Sequence, residues 1–541
     1  MSEDKAIESP DSRAGKIVCA SIFVVAVIVA AWFRFHQIGI KPFHHDEGVN
    51  SFFLLNLSHT GQYKYDPTNY HGPSLYYFAL IAVRIFGEND FALRLTPVIF
   101  GLITIALIWY WRRHLGVIGT PVAAFGLGLS PCLVYFSRDF IHEILFGCAT
   151  LGIMVGLWLY AESRKFTWLA LASVSVGLLL TTKETAIINL AVLIFAIVCA
   201  GIVDTARTLI RQHQLTAAAL VRELKRDTIA VLPSLDHLLA ALIILVFIYV
   251  FLYSSLFSHW QGVTDFFKSI AHWTEERSSK DHVKTFWYYF GILIKLELPL
   301  LIGSLVAGLI IIWRGSRFWL FMGAFTFGMT LAYSIIGYKT PWLMISFVIP
   351  MALVCGYAAE QIYHLLPAVS LRILWLTLVL VAVIACGRMA WTVNFEKYDD
   401  NGNEAGYFAE FGKKLEFKPY VDGLYGYVYA QTDREILGLV ADIKSEAAGL
   451  PTKEKTGIYV ASPDYWPLPW YLRDYDRTAY IGDWPKPLGE SLNITQPIVI
   501  ANVNQQAYLE GAPGWRIGSR SYKLRPGVEL ILFVHDEIPQ Q

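Results

Sequence analysis

A succession of apolar runs, each about twenty residues long, constrains this chain more than any other feature of it. A helix rising roughly 1.5 Å per residue crosses a bilayer core in about that length. The first run, 16–33 (KIVCASIFVVAVIVAAWF), follows a short polar start. It is longer than a secretory h-region and leads into bulky Trp32, Phe33 and Phe35, so it reads as a retained signal-anchor helix. Further runs lie near 92–111, 117–136, 141–160, 167–181, 185–203, 236–257, 288–313, 317–337, 341–361 and 370–391, predicting about eleven spans in all. Composition agrees: 55% of residues are hydrophobic and 16% charged, and mean hydropathy is +0.44. Lys+Arg and Asp+Glu both number 44, so no net basic field points to nucleic acid.

Arg112, Arg113, Arg164, Lys165, Arg314, Arg317 and Arg372 alternate onto one side, together with Lys5, Arg13, Lys16 and the basic segment 204–235. The positive-inside rule makes that side cytoplasmic, with the N-terminus inside and everything after 391 outside. Hydrophobic density drops after 391. Strand-like pieces TGIYVAS, QPIVIANV and VELILFVH flank a helical stretch, REILGLVADIKSEA, as in a small α/β domain. The expected architecture is a polytopic α-helical membrane domain over 1–391, with a long first outer loop at 34–91, and an extracytoplasmic α/β domain over 392–541. The six cysteines sit in apolar runs without metal-ligand spacing and read as small buried residues. Asn493 opens an N-I-T triplet that fits glycosylation.

On this topology HHDEG (44–48), SRDFIHE (137–143), TTKET (181–185) and GYKTPW (337–342) face one compartment. Ionisable groups near membrane depth are costly and mark functional cavities, so their convergence is informative. Asp46 and Glu47 precede VNSFFLLNL, a pattern for a helix lying along the membrane surface. Asp46 suits a helix N-cap and Glu47 a first turn, roles compatible with catalysis because a cap fixes a carboxylate in space. YDPTNYHGPSLYY (65–77) contains a turn at His71-Gly72-Pro73 with tyrosines that fit either a ligand site or an interfacial belt. Spacing puts Asp139, His142 and Glu143 on one helix face. Arg138 suits either a bidentate phosphate contact or an ion pair between helices. Lys183 and Lys339 each stand in a tight outer hairpin, where lipid phosphate is a natural partner and snorkelling the alternative; Glu184 is a neighbour able to neutralise Lys183. Glu297, about ten residues into the run from 288, needs a partner from another helix because Lys295 lies two residues away. The aromatic stretch DYWPLPWYLRDY (464–475) fits sugar stacking, domain core or packing against the membrane half.

HHDEG in a long first outer loop, then YHGP, SRDFIHE, a TTKE hairpin and KTPW, resembles the GT-C class of membrane glycosyltransferases over about residues 16–395. Within that class it is similar to the protein O-mannosyltransferase, aminoarabinose transferase and RgtA-like group, and especially to an archaeal and bacterial family described as flippase-activity-associated. The resemblance implies inverting transfer of a sugar from a polyprenyl-phosphate donor to a glycan, lipid or protein acceptor on the outer face. Asp46 matches the catalytic acidic residue of such enzymes, with Glu47 beside it. The chain departs from the pattern in SRDFIHE, where His142 stands at a position that suits an Asn or another polar residue.

Such a reaction needs a base for the acceptor hydroxyl, here Asp46. Phosphate leaves as a weakly basic anion, so one carboxylate suffices where glycosidases need two. Arg138, Lys183 and Lys339 are the candidate donor-phosphate ligands. His45, Tyr70, His71, Asp139, His142, Glu143, Glu184, Trp342 and Glu297 complete the candidate substrate-binding set. A divalent cation on Asp46, Glu47 and the neighbouring histidines stays open, although consecutive His44 and His45 do not easily reach one ion. The rival reading is a polyprenyl-linked glycan flippase or flippase-associated protein without transfer chemistry. Internal repeats and midplane charges would favour it, and of the charges only Glu297 leans that way.

Overall fold

The structure is a computed structural model that describes residues 13–69, 71–276, 283–398, 406–407, 426–427, 431–482, 494, 496–508 and 514–535. Tyr70 and Asn493 lie outside the described residues. Every one of the apolar runs is helical. Helix α1 is Arg13–Phe35; a surface pair follows, α2 (His45–Thr60) and α3 (Ser74–Phe86). Then come α4 (Asp90–Leu107), α5 (Arg112–Leu129), a short α6 (Pro131–Phe136), α7 (Glu143–Ser163), α8 (Phe166–Leu180) and α9 (Ala186–Arg211). Helices α10 (Ala217–Val231), α11 (Leu235–Tyr253), α12 (Gln261–Glu276), α13 (Tyr288–Leu296), α14 (Leu298–Arg314), α15 (Arg317–Ile335), α16 (Ile345–Leu365) and α17 (Val369–Trp391) complete the helical part.

By length and composition, eight described helices can cross a membrane, or nine if the bent pair α13–α14 is one span. In that count Asp90–Leu129 is a single stretch, although the helix is kinked at Gly116, whose φ of +80° an L side chain resists. Two expected spans are broken. The run 117–136 stops at Leu129, and Ser130 caps α6 by accepting from the Leu133 N–H. The run 288–313 bends by 112° between α13 and α14. Glu297 therefore sits at that bend and not within a continuous helix, as the sequence pattern suggested.

Burial follows what solvates each helix. Helices α7 and α16 are almost wholly enclosed, while α11 and α17 present Leu238, Ile243, Phe247, Leu374 and Leu380 outward. An apolar surface of that kind is stable against lipid and unstable against water.

The C-terminal part is a five-stranded sheet in which β1 (Ile458–Ala461) lies between β2 (Thr478–Tyr480) and β3 (Ile498–Asn502), both parallel to it. Strands β5 (Val528–His535) and β4 (Trp515–Arg525) extend it in antiparallel pairing, giving the order β2-β1-β3-β5-β4. Helix α18 (Glu435–Gly449) buries Ile436, Leu439 and Ile443 against Ile458, Ile500 and Leu532. The expected α/β domain is present, with TGIYVAS, QPIVIANV and VELILFVH supplying β1, β3 and β5.

This domain docks on the segment that carries HHDEG. Trp470, in the short helix α19 (Leu468–Tyr471), stacks on Phe43 at 5.1 Å and donates to Asp90 at 2.8 Å. The Tyr471 hydroxyl accepts from the Phe43 N–H at 2.8 Å, and Arg473 donates to the Glu88 carbonyl. A Cβ at Gly48 would meet Pro467 at 2.8 Å, so α2 approaches the domain too closely for a larger residue. The aromatic stretch thus serves packing between the two halves.

Candidate active site

Helix α2 begins with a capping box. His44, not Asp46, is the N-cap: its Nδ1 accepts from the Asp46 N–H at 3.2 Å, and Glu47 accepts from the His44 N–H at 3.0 Å. Glu47 is completely buried and meets Arg94 through two contacts of 2.7 Å, Nε to Oε1 and Nη2 to Oε2. Its Oε1 also accepts from the Phe140 N–H. Burial raises its pKa, but the facing Arg94 guanidinium outweighs that and holds the carboxyl below the usual range. A carboxylate with all those partners fixes the start of α2, and it is not among the residues that line the cavity beside Asp46. The expected catalytic part for Glu47 is therefore replaced by an anchoring one.

Asp46 is the opposite case. It is partly exposed, lines a cavity of about 490 Å³, and its carboxylate has no hydrogen-bond partner among the described residues. His45 also lines the cavity. Burial depresses its pKa and keeps the imidazole neutral at physiological pH.

Another part of the cavity lining, His71, Lys183, Glu184 and Thr185, is built where the YHGP turn meets the TTKE hairpin. The Gly72 and Ser74 N–H groups donate to the carbonyls of Thr182 and Thr181 at 2.9 and 3.0 Å. A Cβ at Gly72 would fall 2.1 Å from the Thr181 carbonyl oxygen, so only glycine permits this contact. Across it, Lys183 donates to Glu143 at 2.8 Å, and His71 Nδ1 lies 3.3 Å from Glu184. The His142 ring packs beside that of His71 at 4.8 Å and directs Nε2 at the Gly72 carbonyl. Burial pushes the pKa of His142 well down. It raises that of Glu184, yet the His71 hydrogen bond and the charges of His71 and Lys183 leave that carboxyl below the usual range. Trp342 closes one wall, its ring 6.1 Å from His44.

Four expected site residues are placed elsewhere. Arg138 is fully buried and caps the C-terminal end of α1, donating to the carbonyls of Phe33, His36 and Gln37 at 2.8, 2.6 and 2.8 Å. Its two Nη atoms are taken by these carbonyls, and it is not among the residues that line the cavity. Lys339 is not a lining residue and donates to the carbonyls of Lys284 and Ile336, although Tyr338 and Thr340 beside it line the cavity. Glu297 is enclosed at the α13–α14 bend, accepting from Ser130 Oγ (2.7 Å), the Cys132 N–H (2.8 Å) and the Tyr427 hydroxyl (3.2 Å). Asp139 is paired with Lys41 off the main cavity, because residues 137–142 are turns and α7 begins only at Glu143. The shared helix face of Asp139, His142 and Glu143 does not form.

Asn50, Tyr333 and Arg525 line the cavity without having been singled out in the sequence. Asn50 lies one turn beyond Asp46 on α2, a spacing that signals its shared face. Nothing local marks Arg525, some 480 residues away from its neighbour His45. Among the described residues no group of three or more His, Cys, Asp or Glu is arranged to hold a metal ion.

The helical membrane body with its C-terminal sheet domain has the fold of the GT-C membrane glycosyltransferases. Residues 70–224 match the family model for dolichyl-phosphate-mannose-protein mannosyltransferases. Among solved structures, ArnT from Cupriavidus metallidurans bound to undecaprenyl phosphate aligns with a TM-score of 0.58 at 14% identity, covering 96% of this chain and 98% of that one. The oligosaccharyltransferase AglB from Archaeoglobus fulgidus, in complex with an inhibitory peptide and a dolichol-phosphate, aligns at 0.54 and 13%, covering 92% and 70%. The mycobacterial arabinofuranosyltransferase AftD aligns at 0.50 and 12%, covering 97% of this chain and 40% of its own. No curated protein sequence matches the chain.

Proposed function

We propose that this integral membrane protein transfers a sugar from a polyprenyl-phosphate donor to an acceptor hydroxyl, with inversion and with Asp46 as general base. The observation that carries the reading is the Asp46 carboxylate, without a hydrogen-bond partner among the described residues, held by a pinned helix start and lining a cavity that also contains Lys183. Asp46 takes the hydroxyl proton while the acceptor oxygen attacks the anomeric carbon. The bond from that carbon to the phosphate oxygen breaks, and its electron pair leaves with the polyprenyl phosphate. A single displacement inverts the anomeric centre.

Lys183 is the cation for the departing phosphate. One of its N–H groups serves Glu143, and an ammonium has two more to offer. Ile188 and Ile336 line the cavity next to outward-facing Ile187 and Ile335, which suits a lipid chain entering from the bilayer. The bound lipid phosphates of the ArnT and AglB structures support a donor of this kind. In the cell membrane the N-terminus would lie inside and the C-terminal domain outside, where a glycan, lipid or protein acceptor is met.

The test is sugar release or transfer by the purified protein from a panel of polyprenyl-phosphate sugars, with cell-derived acceptors, with and without a divalent-metal chelator. Asp46→Asn should lower turnover by about 10² to 10⁴ while leaving undecaprenyl phosphate binding intact. Turnover by Asp46→Asn at the wild-type rate would remove Asp46 as the base, and donor binding without turnover by wild type would point to translocation.

A further inference from the structure

Arg525 sits at the tip of the β4–β5 hairpin, followed by Pro526 and by Gly527 at φ +80°. Among the described residues it is the one lining residue that the C-terminal domain contributes to the cavity. We propose that Arg525 is a specificity-determining residue that binds a phosphate or carboxylate carried by the sugar acceptor; this rests on the transfer reading above.

Position comes first. Arg525 Nη1 lies 3.5 Å from His45 Nδ1, beside Asp46 and on the side covered by the soluble domain. Lys183 lines the same cavity from the TTKE hairpin, five residues before the lining residue Ile188, which is next to outward-facing Ile187. A donor arriving through the bilayer meets Lys183, and an acceptor arriving beneath the soluble domain meets Arg525. His45, kept neutral by burial, accepts from the guanidinium without repelling it.

The pairing of each charge supplies the second argument. Lys183 and Glu143 have side chains only 5% and 7% exposed, so Glu143 cannot leave without staying buried and unpaired. Arg525 is paired with Asp464, whose side chain is 41% exposed. Asp464 can therefore swing into water and be rehydrated at small cost. What remains is a guanidinium fork, 17% exposed at the cavity edge, whose planar donors fit a carboxylate or phosphate in bidentate fashion. Asp464 is itself a carboxylate on this fork, an internal stand-in for the ligand.

The experiment is saturation-transfer NMR on the full chain in lipid nanodiscs, with glucose 6-phosphate and glucuronate as soluble sugar anions, glucose as neutral control, and undecaprenyl phosphate binding measured in parallel. Wild type should bind the anions and not glucose. Arg525→Ala should weaken anion binding about tenfold or more, as expected for one charge-assisted contact, and Arg525→Lys less. Asp464→Asn, which removes the competing carboxylate, should tighten it. Undecaprenyl phosphate binding should be unchanged in all three, which also shows that they are folded. Equal anion binding by wild type and Arg525→Ala overturns the proposal, and so does a loss of undecaprenyl phosphate binding in Arg525→Ala, which would give the cation to the donor. These readouts need no turnover. A protein that binds sugar anions through Arg525 yet transfers nothing fails the transfer reading alone.

Discussion

Replacing Glu47 by Gln removes the negative charge from the most enclosed ion pair at the site while leaving the volume almost unchanged. Both partners have fully buried side chains, so Arg94 cannot turn to water for compensation. It keeps the carbonyls of Ile38 and Lys41, at 2.8 and 3.0 Å, but loses its counter-charge. Breaking a buried pair by removing one partner costs about 3–5 kcal/mol. The amide of the variant retains one acceptor oxygen where Glu47 has two serving the His44 N–H, the Phe140 N–H and Arg94, so the capping box also weakens. Asp46→Asn removes a charge one residue earlier with no hydrogen bond to lose among the described residues, and should change stability within about 0.5 kcal/mol. The assay is thermal unfolding of each variant in the same detergent, followed by tryptophan fluorescence, beside turnover at a temperature where all are folded. Glu47→Gln should unfold several degrees lower yet keep much of its turnover; Asp46→Asn should unfold with wild type and be inactive. The reverse pattern, with Glu47→Gln stable and as inactive as Asp46→Asn, would refute the assignment of anchor and base.

Lys183→Ala should weaken undecaprenyl phosphate binding and lower the unfolding temperature, since Glu143 is left buried without its cation; adding Glu143→Ala should recover stability but not binding, a coupling read from the double-mutant cycle. Glu184 is held below the usual carboxylate range, so its contribution to stability is fully present above about pH 4.3 and is lost as pH falls through the lower folded value. An unfolding-temperature profile taken down through acid should therefore be shallower for Glu184→Gln than for wild type. Gly72→Ala, which drives a methyl into the Thr181 carbonyl, should separate the YHGP turn from the TTKE hairpin; sharply reduced folded yield on size exclusion checks it, and a wild-type yield would contradict the close approach.

The sequence alone was sufficient for whatever depends on period and composition. All the apolar runs became helices, the tail became an α/β domain, and the outer motifs HHDEG, YHGP, SRDFIHE and TTKET gathered around one cavity, because lipid leaves a long apolar segment no option but to satisfy its backbone internally. Asp46, His45, His71, His142, Glu143, Lys183, Glu184 and Trp342, grouped in the sequence because ionisable groups near membrane depth are costly, line one cavity. Which member of the set faces the ligand was not legible. Adjacent residues on a helix point about 100° apart, so Asp46 and Glu47, alike in sequence, separate into a free carboxylate and a buried counter-ion once the helix is docked. Arg138 and Lys339 look like phosphate ligands until their carbonyl partners are known; those of Arg138 lie about a hundred residues earlier in the chain, and those of Lys339 are Ile336 in its own turn and Lys284. Arg525 comes from the other end of the chain, brought to His45 by packing of Trp470 and Tyr471 on Phe43. Local pattern determined the elements and the kinds of residue at the site; the pairing of charges, which decides what each one can do, is a property of distance across the fold and was settled only by tertiary structure.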